Sequence, residues 1–226
     1  MSTPERLSLV ERMALARSRT AEARLTTTAQ HAGTHGHGQP HGGGHSHALG
    51  PSWQVDAKPG QHVVLMPGQM HFGHHAGTIR TLLGSCVSIT LWHPIRKIGG
   101  MCHYLLPSRS HRLHEPTDGK YGDEAIEAMV KEIEKTRTNP KDYIAHLYGG
   151  ADTMPDGTNL KFNVGERNIE QGWKLIDQYG FQLMGVDVGE DVPRTVTITL
   201  ATGDVTMNRG AGKAPPPVGL PPRPRR

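Results

Sequence analysis

Val87-Ser88-Ile89-Thr90-Leu91-Trp92, then His93-Pro94-Ile95-Arg96, then Lys97 through Leu106 to Pro107: this stretch decides the fold. Val87, Ile89 and Leu91 alternate with Ser88, Thr90 and Trp92, the period-two pattern of a half-buried strand. The His-Pro-Ile-Arg segment has the composition of a turn, and the residues after it read as a second strand that Pro107 ends. A loop of residues 93–96 is a common hairpin length. It sets Trp92 opposite Lys97 and brings Cys86 directly across from His103, with Cβ atoms about 4.5–5.5 Å apart. The prediction depends on register, because a slip of one residue would turn the two side chains to opposite faces.

Other elements extend outward from this hairpin. Val63-Val64-Leu65-Met66 before Pro67-Gly68 reads as a short strand, and Thr78 to Leu83 leads into Gly84-Ser85-Cys86. Residues 120–137 have helical spacing, with Ile126, Met129, Val130 and Ile133 on one face and Glu127 one turn from Lys131. Asn139-Pro140 ends that helix. Ile144 to Tyr148 is a strand entering Gly149-Gly150-Ala151. Asn168 with Gln171 resembles a capping box that opens a second helix through Trp173 and Ile176. Strands follow at Phe181–Val188, Thr195–Thr199 and Val205–Met207, the last after a turn at Thr202-Gly203-Asp204. The predicted class is α+β, rich in strands, with two main helices.

Both ends differ from this middle. Ser2-Thr3-Pro4-Glu5 reads as a helix start, followed by Leu7, Val10, Met13 and Ala14 at helical spacing. Next comes a glycine-rich tract holding His31, His35, His37, His41, His45 and His47. Nothing in it fixes a metal geometry, so it reads as a linker. The chain is 35% apolar and 5% aromatic, and its thin stretches are these ends. The expected organisation is an N-terminal helix and Gly/His segment at 1–52, a folded domain at 53–207, and a Pro/Arg-rich tail at 208–226.

The tail carries the charge excess. Arg209, Lys213, Arg223, Arg225 and Arg226 lie in the last eighteen residues, and removing these 5 from 25 basic residues leaves 20 against 21 acids. The basic pI therefore belongs to a tail and does not mark a nucleic-acid-binding domain. No apolar run is long enough to span a membrane, and the N-terminus lacks a signal-peptide pattern, so a cytoplasmic setting is expected. A disulfide between Cys86 and Cys102 is disfavoured there.

A thiol beside an imidazole has defined chemistry. The imidazole takes the thiol proton, the sulfur attacks an amide or ester carbonyl, and the imidazolium protonates the leaving group. Gly84-Ser85 gives a close backbone approach before the cysteine. Candidates to orient the imidazole are Thr81, Ser85, Ser88 and Thr90. The plain alternatives are a small buried Cys and a satisfied polar His at a sheet edge. A structural zinc site is disfavoured, because Cys102 and His103 point to opposite faces and no further Cys is available.

The residues around this pair carry a resemblance. Leu82-Leu83-Gly84-Ser85-Cys86-Val87 and Gly99-Gly100-Met101-Cys102-His103-Tyr104-Leu105-Leu106-Pro107 closely resemble CheD, the chemoreceptor glutamine deamidase family. Tyr121, Tyr148-Gly149-Gly150-Ala151, Val164-Gly165-Glu166-Arg167-Asn168 and the Gly203 turn follow in the same order. The match covers roughly residues 60–207. It implies deamidation of glutamines on methyl-accepting chemotaxis receptors, with glutamyl methylesterase activity in some members. It implies Cys86 as nucleophile, His103 as base and Thr81 as third member, with no cofactor and no metal. It also implies a layered β-sandwich-like core with flanking helices, similar to bacterial toxin deamidases, and CheC as a partner of some relatives. The alternative is a non-catalytic adaptor that binds receptors or CheC; a cysteine peptidase is a third reading. The chain departs from the family at Val188-Gly189-Glu190-Asp191-Val192-Pro193-Arg194, where paired glycines followed by Gly-Arg are frequent. Gly149-Gly150 and Gly165 are read as tight-turn positions, and Asn168 as a cap.

Overall fold

The computed structural model describes residues 53–110, 115–152 and 164–210. The N-terminal helix, the Gly/His tract and the Pro/Arg tail beyond Gly210 lie outside the described residues. Among the described residues nine strands and two helices run in the order β1 (His62–Val64), β2 (Met70–Gly73), β3 (Thr78–Leu83), β4 (Val87–His93), β5 (Ile98–Tyr104), α1 (Gly122–Lys135), β6 (Ile144–Gly149), α2 (Val164–Tyr179), β7 (Gln182–Val188), β8 (Arg194–Thr199) and β9 (Val205–Arg209). A single 3-10 turn at Pro140–Asp142 joins α1 to β6, and the Asn139 side chain accepts from the Lys141 backbone N–H there.

The strands form two sheets, β1-β3-β8-β9 and β2-β5-β4-β6-β7. Pairing is antiparallel except at β1–β3 and β6–β7. The predicted α+β class, rich in strands with two main helices, is what the described residues adopt.

Alternation explains the layers. On the five-stranded sheet, Val87, Ile89, Leu91, Cys102, Tyr104, Ala145 and Leu147 point one way and pack on Ile126, Met129, Ile133, Ile169 and Trp173 of the helices. Each of these large side chains contributes about 1.5–3 kcal/mol on burial. The other face meets the four-stranded sheet. There Met101 and Tyr148 pack with Val63, Leu65, Ile79, Leu83, Val196 and Ile198. Helix α1 shows the predicted face, and Lys131 pairs with Glu127 at 2.8 Å.

Three readings need correction. The central hairpin turns through residues 94–97 instead of 93–96, so His93 pairs with Ile98 and Trp92 with Gly99. His93 stays in the strand because its ring is buried edge-on against Tyr143, with 5.1 Å between centroids. Lys97 closes the turn at φ 50°, and its N–H donates to the His93 carbonyl at 2.8 Å. Strand β2 is not marked by the sequence pattern: Met70–Gly73 follows Gly68, ends on a glycine and runs into His74-His75, with no alternation long enough to register. Helix α2 begins at Val164, so Asn168 lies in its second turn and is no cap.

Candidate active site

The corrected register changes how the cysteine and histidine meet. Ser88 is the residue opposite His103, and Cys86 lies two residues before Ser88. Ser88 and His103 share one face of the ladder, and Cys86, just before the strand, packs against the cluster on that same side. That face is the one between the sheets. The predicted direct pair is therefore a diagonal one, with the thiol one rung beyond the imidazole.

His103 is held from both sides. Its N–H donates to the Gln69 carbonyl at 2.9 Å, and its own carbonyl accepts from Gly68 N–H at 2.7 Å. The ring is 2% exposed. Thr81 reaches it from the facing sheet, with Oγ1 2.7 Å from Nδ1. The same hydroxyl donates to the Leu65 carbonyl at 2.9 Å. A carbonyl only accepts, so the single hydroxyl proton goes to Leu65. Nδ1–H must then donate to Thr81, which leaves Nε2 with its lone pair. Nε2 is buried and has no hydrogen-bond partner.

Burial sets the protonation of both groups. It pulls His103 down to about 4, partly opposed by the Leu65 backbone, so the imidazole is neutral at physiological pH. It pushes the half-buried Cys86 thiol up, partly offset by the residue's own backbone. A charged group loses hydration in such surroundings, and each titrates away from its ion. The resting pair is thus a thiol and a free imidazole base instead of a preformed ion pair. Cys102 faces the helices, is fully buried and is pushed up to about 12 by desolvation.

The segment carrying Cys86 is fixed by its neighbours. The Cys86 carbonyl accepts from Gly150 N–H at 2.8 Å, and the Gly84 carbonyl from Ala151 N–H at 2.9 Å. Gly149 has φ 107°, and a Cβ there would stand 2.2 Å from the Cys86 carbonyl oxygen. The glycine motif thus serves close approach to the cysteine segment as well as turning. Asn168 Nδ2 donates to the Leu105 carbonyl at 2.7 Å and the Ser85 carbonyl at 3.3 Å.

Of the orienter candidates, Thr81 contacts the imidazole. Thr90 instead lies 3.1 Å from His146 Nδ1, and the Ser88 hydroxyl is buried without a partner. The Leu65 carbonyl escaped the sequence reading; it acts through its backbone and leaves no signature in residue type. Among the described residues no group of three or more His, Cys, Asp or Glu is arranged to hold a metal ion, and no helix is long and apolar enough to cross a membrane.

Comparison with known proteins reports on the whole scaffold. The chain is 45% identical over 151 residues to the probable chemoreceptor glutamine deamidase CheD 1 of Chromobacterium violaceum, covering 66% of this chain and 78% of that protein. The chain belongs to the CheD family. A probable CheD of Pseudomonas syringae pv. tomato is 40% identical over 63% of this chain and 86% of its own length. A probable chemoreceptor glutamine deamidase CheD of Methanococcus maripaludis is 35% identical over 64% of this chain and 92% of its own length. The family model described as CheD chemotactic sensory transduction matches residues 105–209. That segment begins after His103, so it bears on both CheD helices and on β6 to β9 instead of on the thiol and imidazole.

Proposed function

We propose that this chain is a protein-glutamine deamidase acting on the cytoplasmic part of methyl-accepting chemotaxis receptors, with Cys86 as nucleophile, His103 as base and Thr81 holding the base. The observation that carries the reading is the Thr81–His103 contact, which leaves a buried, unprotonated Nε2 on the same face as the Cys86 thiol. The names of the relatives supply the substrate class.

The steps balance with these groups alone. Nε2 takes the thiol proton as Sγ bonds to the carboxamide carbon, giving a tetrahedral oxyanion. Collapse breaks the C–N bond, and the imidazolium proton leaves with ammonia. Water, deprotonated by the restored imidazole, then attacks the thioester; the carboxylate forms and the thiol is regenerated. A glutamyl methyl ester enters the same route with methanol as leaving group, which is the basis for assigning methylesterase activity. Because burial disfavours both ions at rest, proton transfer accompanies attack.

The reading places the enzyme in the cytoplasm, with residues 53–207 as the deamidase domain and an architecture grouped with the bacterial toxin deamidases. CheC is assigned as a partner on family grounds. An adaptor without turnover would have no use for an imidazole held in one tautomer by a second sheet. The test is mass spectrometry of receptor peptides after incubation with wild type or Cys86→Ala. Wild type should convert selected glutamines to glutamates, a mass increase of about one dalton each, and the variant none. Conversion by the variant at the wild-type rate would remove Cys86 from the mechanism.

A further inference from the structure

Asn168 stands inside a helix, where its residue type is neither favoured nor needed. It is fully buried. Its two amide protons go to two different strand ends, the Leu105 carbonyl and the Ser85 carbonyl. The β4–β5 ladder stops at Val87–Tyr104, so the next rung would have joined Cys86 to Leu105. Asn168 Nδ2 stands in for that missing rung. It ties the residue before the thiol to the residue two beyond the imidazole.

The helix is brought there by a second set of contacts. Gly165 packs on the Gly150 backbone so closely that a Cβ would stand 2.6 Å from the Gly150 carbonyl oxygen. Gly150 in turn donates to the Cys86 carbonyl. The Tyr104 hydroxyl donates to the Asn168 carbonyl at 2.7 Å, which anchors the helical turn to the strand that carries His103. Meanwhile Asn168 Oδ1 is buried with no partner. A side chain serving stability alone would not leave half of its amide desolvated and unpaired. The orientation is fixed, because only the NH2 end can donate to two carbonyls.

We propose that Asn168 is a positioning residue for the reaction, setting the offset between the Cys86 thiol and the His103 imidazole through the two backbone carbonyls. The proposal rests on the reading of Cys86 as nucleophile. Loss of the strut loosens the Ser85–Cys86 segment, still tied at the Cys86 and Gly84 carbonyls to Gly150 and Ala151, while β4, β5 and the imidazole tautomer stay in place. A misplacement on the order of 1 Å costs up to about 100-fold in a step that needs near-attack geometry.

The experiment uses the full-length chain on a receptor cytoplasmic fragment. Wild type, Asn168→Ala, Tyr104→Phe and Cys86→Ala are compared for kcat, KM, thermal midpoint and iodoacetamide labelling of each cysteine. Asn168→Ala should lower kcat by about 10- to 100-fold with KM within about twofold. Labelling of Cys86 should rise relative to Cys102, which general loosening of the fold would not produce. Tyr104→Phe keeps the packing, removes the anchor of the helical turn, and should lower kcat about threefold; it decides the matter if Asn168→Ala does not fold. A kcat within twofold of wild type for the folded Asn168→Ala protein, or for Tyr104→Phe where that variant decides, overturns the positioning role. Cys86→Ala separates the two levels: if it still deamidates, the nucleophile assignment fails, whereas an inactive Cys86→Ala beside a fully active Asn168→Ala removes the strut alone.

Discussion

The two faces of the five-stranded sheet are built to different rules. Toward the helices the side chains are Val87, Ile89, Leu91, Cys102 and Tyr104, and the layer is an ordinary apolar core. Toward the other sheet the same strands place Ser88, Thr90 and His103, β6 places Tyr148 opposite Ser88, and β7 adds Asp187 next to Tyr148. Both faces are buried, and the helix-facing one also holds His93, Asn168 and the Tyr104 hydroxyl, but Ser88, His103 and Asp187 gather on the other. Burying such groups costs about 1–3 kcal/mol each unless they are paired. Thr81 pairs with His103, and Asp187 takes up Arg194 Nε at 2.6 Å. His103 Nε2, Ser88 Oγ and Arg194 Nη2 are left without partners. The two cysteines sort the same way. Cys102 lies in the apolar layer with its thiol directed at the Ile89 carbonyl, 3.8 Å away, and Cys86 lies at the end of the polar one.

This contrast can be broken from either side. The largest effect expected is on acid stability. Burial depresses His103 and His146 to about 4 from an ordinary 6.5. The unfolded chain therefore binds the extra protons first, and stability is lost as pH falls from about 6.5 toward 4. Each histidine contributes up to about 3 kcal/mol to that loss. His71 is depressed by burial as well; urea unfolding at pH 7 and pH 5 should show the fall, and His103→Gln should flatten it. Equal slopes in the two proteins would contradict a neutral buried His103.

Thr81→Val comes next. It keeps the shape of the side chain but removes the acceptor for Nδ1–H, so the proton is free to move to Nε2 and quench the base. A fall in kcat of about tenfold with KM unchanged is expected, equivalent to about 1.4 kcal/mol, and Thr81→Ser should restore most of it. Retained activity in the valine variant would assign Thr81 to packing. The smallest effect belongs to the apolar face. Cys102→Ala should leave kcat alone and cost about 1 kcal/mol of stability in denaturant titration, as loss of one small buried group does. Loss of turnover there would mean that the two faces are not chemically separate.

Parity made much of this legible. Cys86 and His103 fall on one face in the predicted register and in the real one, because the strands shifted by one residue each and the two shifts preserve alternation. What could not be read was the turn itself, which is decided by the burial of His93 against Tyr143, a residue 50 positions away in sequence. Helix α1 and strands β6 to β9 were legible because their periodicity is local. Strand β2 was not, since four residues between glycines carry no period. Asn168 was misread because Asn-x-x-Gln looks like a cap when the preceding helical turn is unseen; its true partners, the carbonyls of Ser85 and Leu105, have no residue-type signature.

The contact between Thr81 and His103 joins two sheets that share no ladder with each other. On the proposed mechanism, that contact ties the chemistry to the closure of the two sheets. If β3 peels away, the imidazole loses the oxygen that dictates where its proton sits, while the larger sheet keeps its own ladders. Activity under that mechanism should therefore be lost before the fold is.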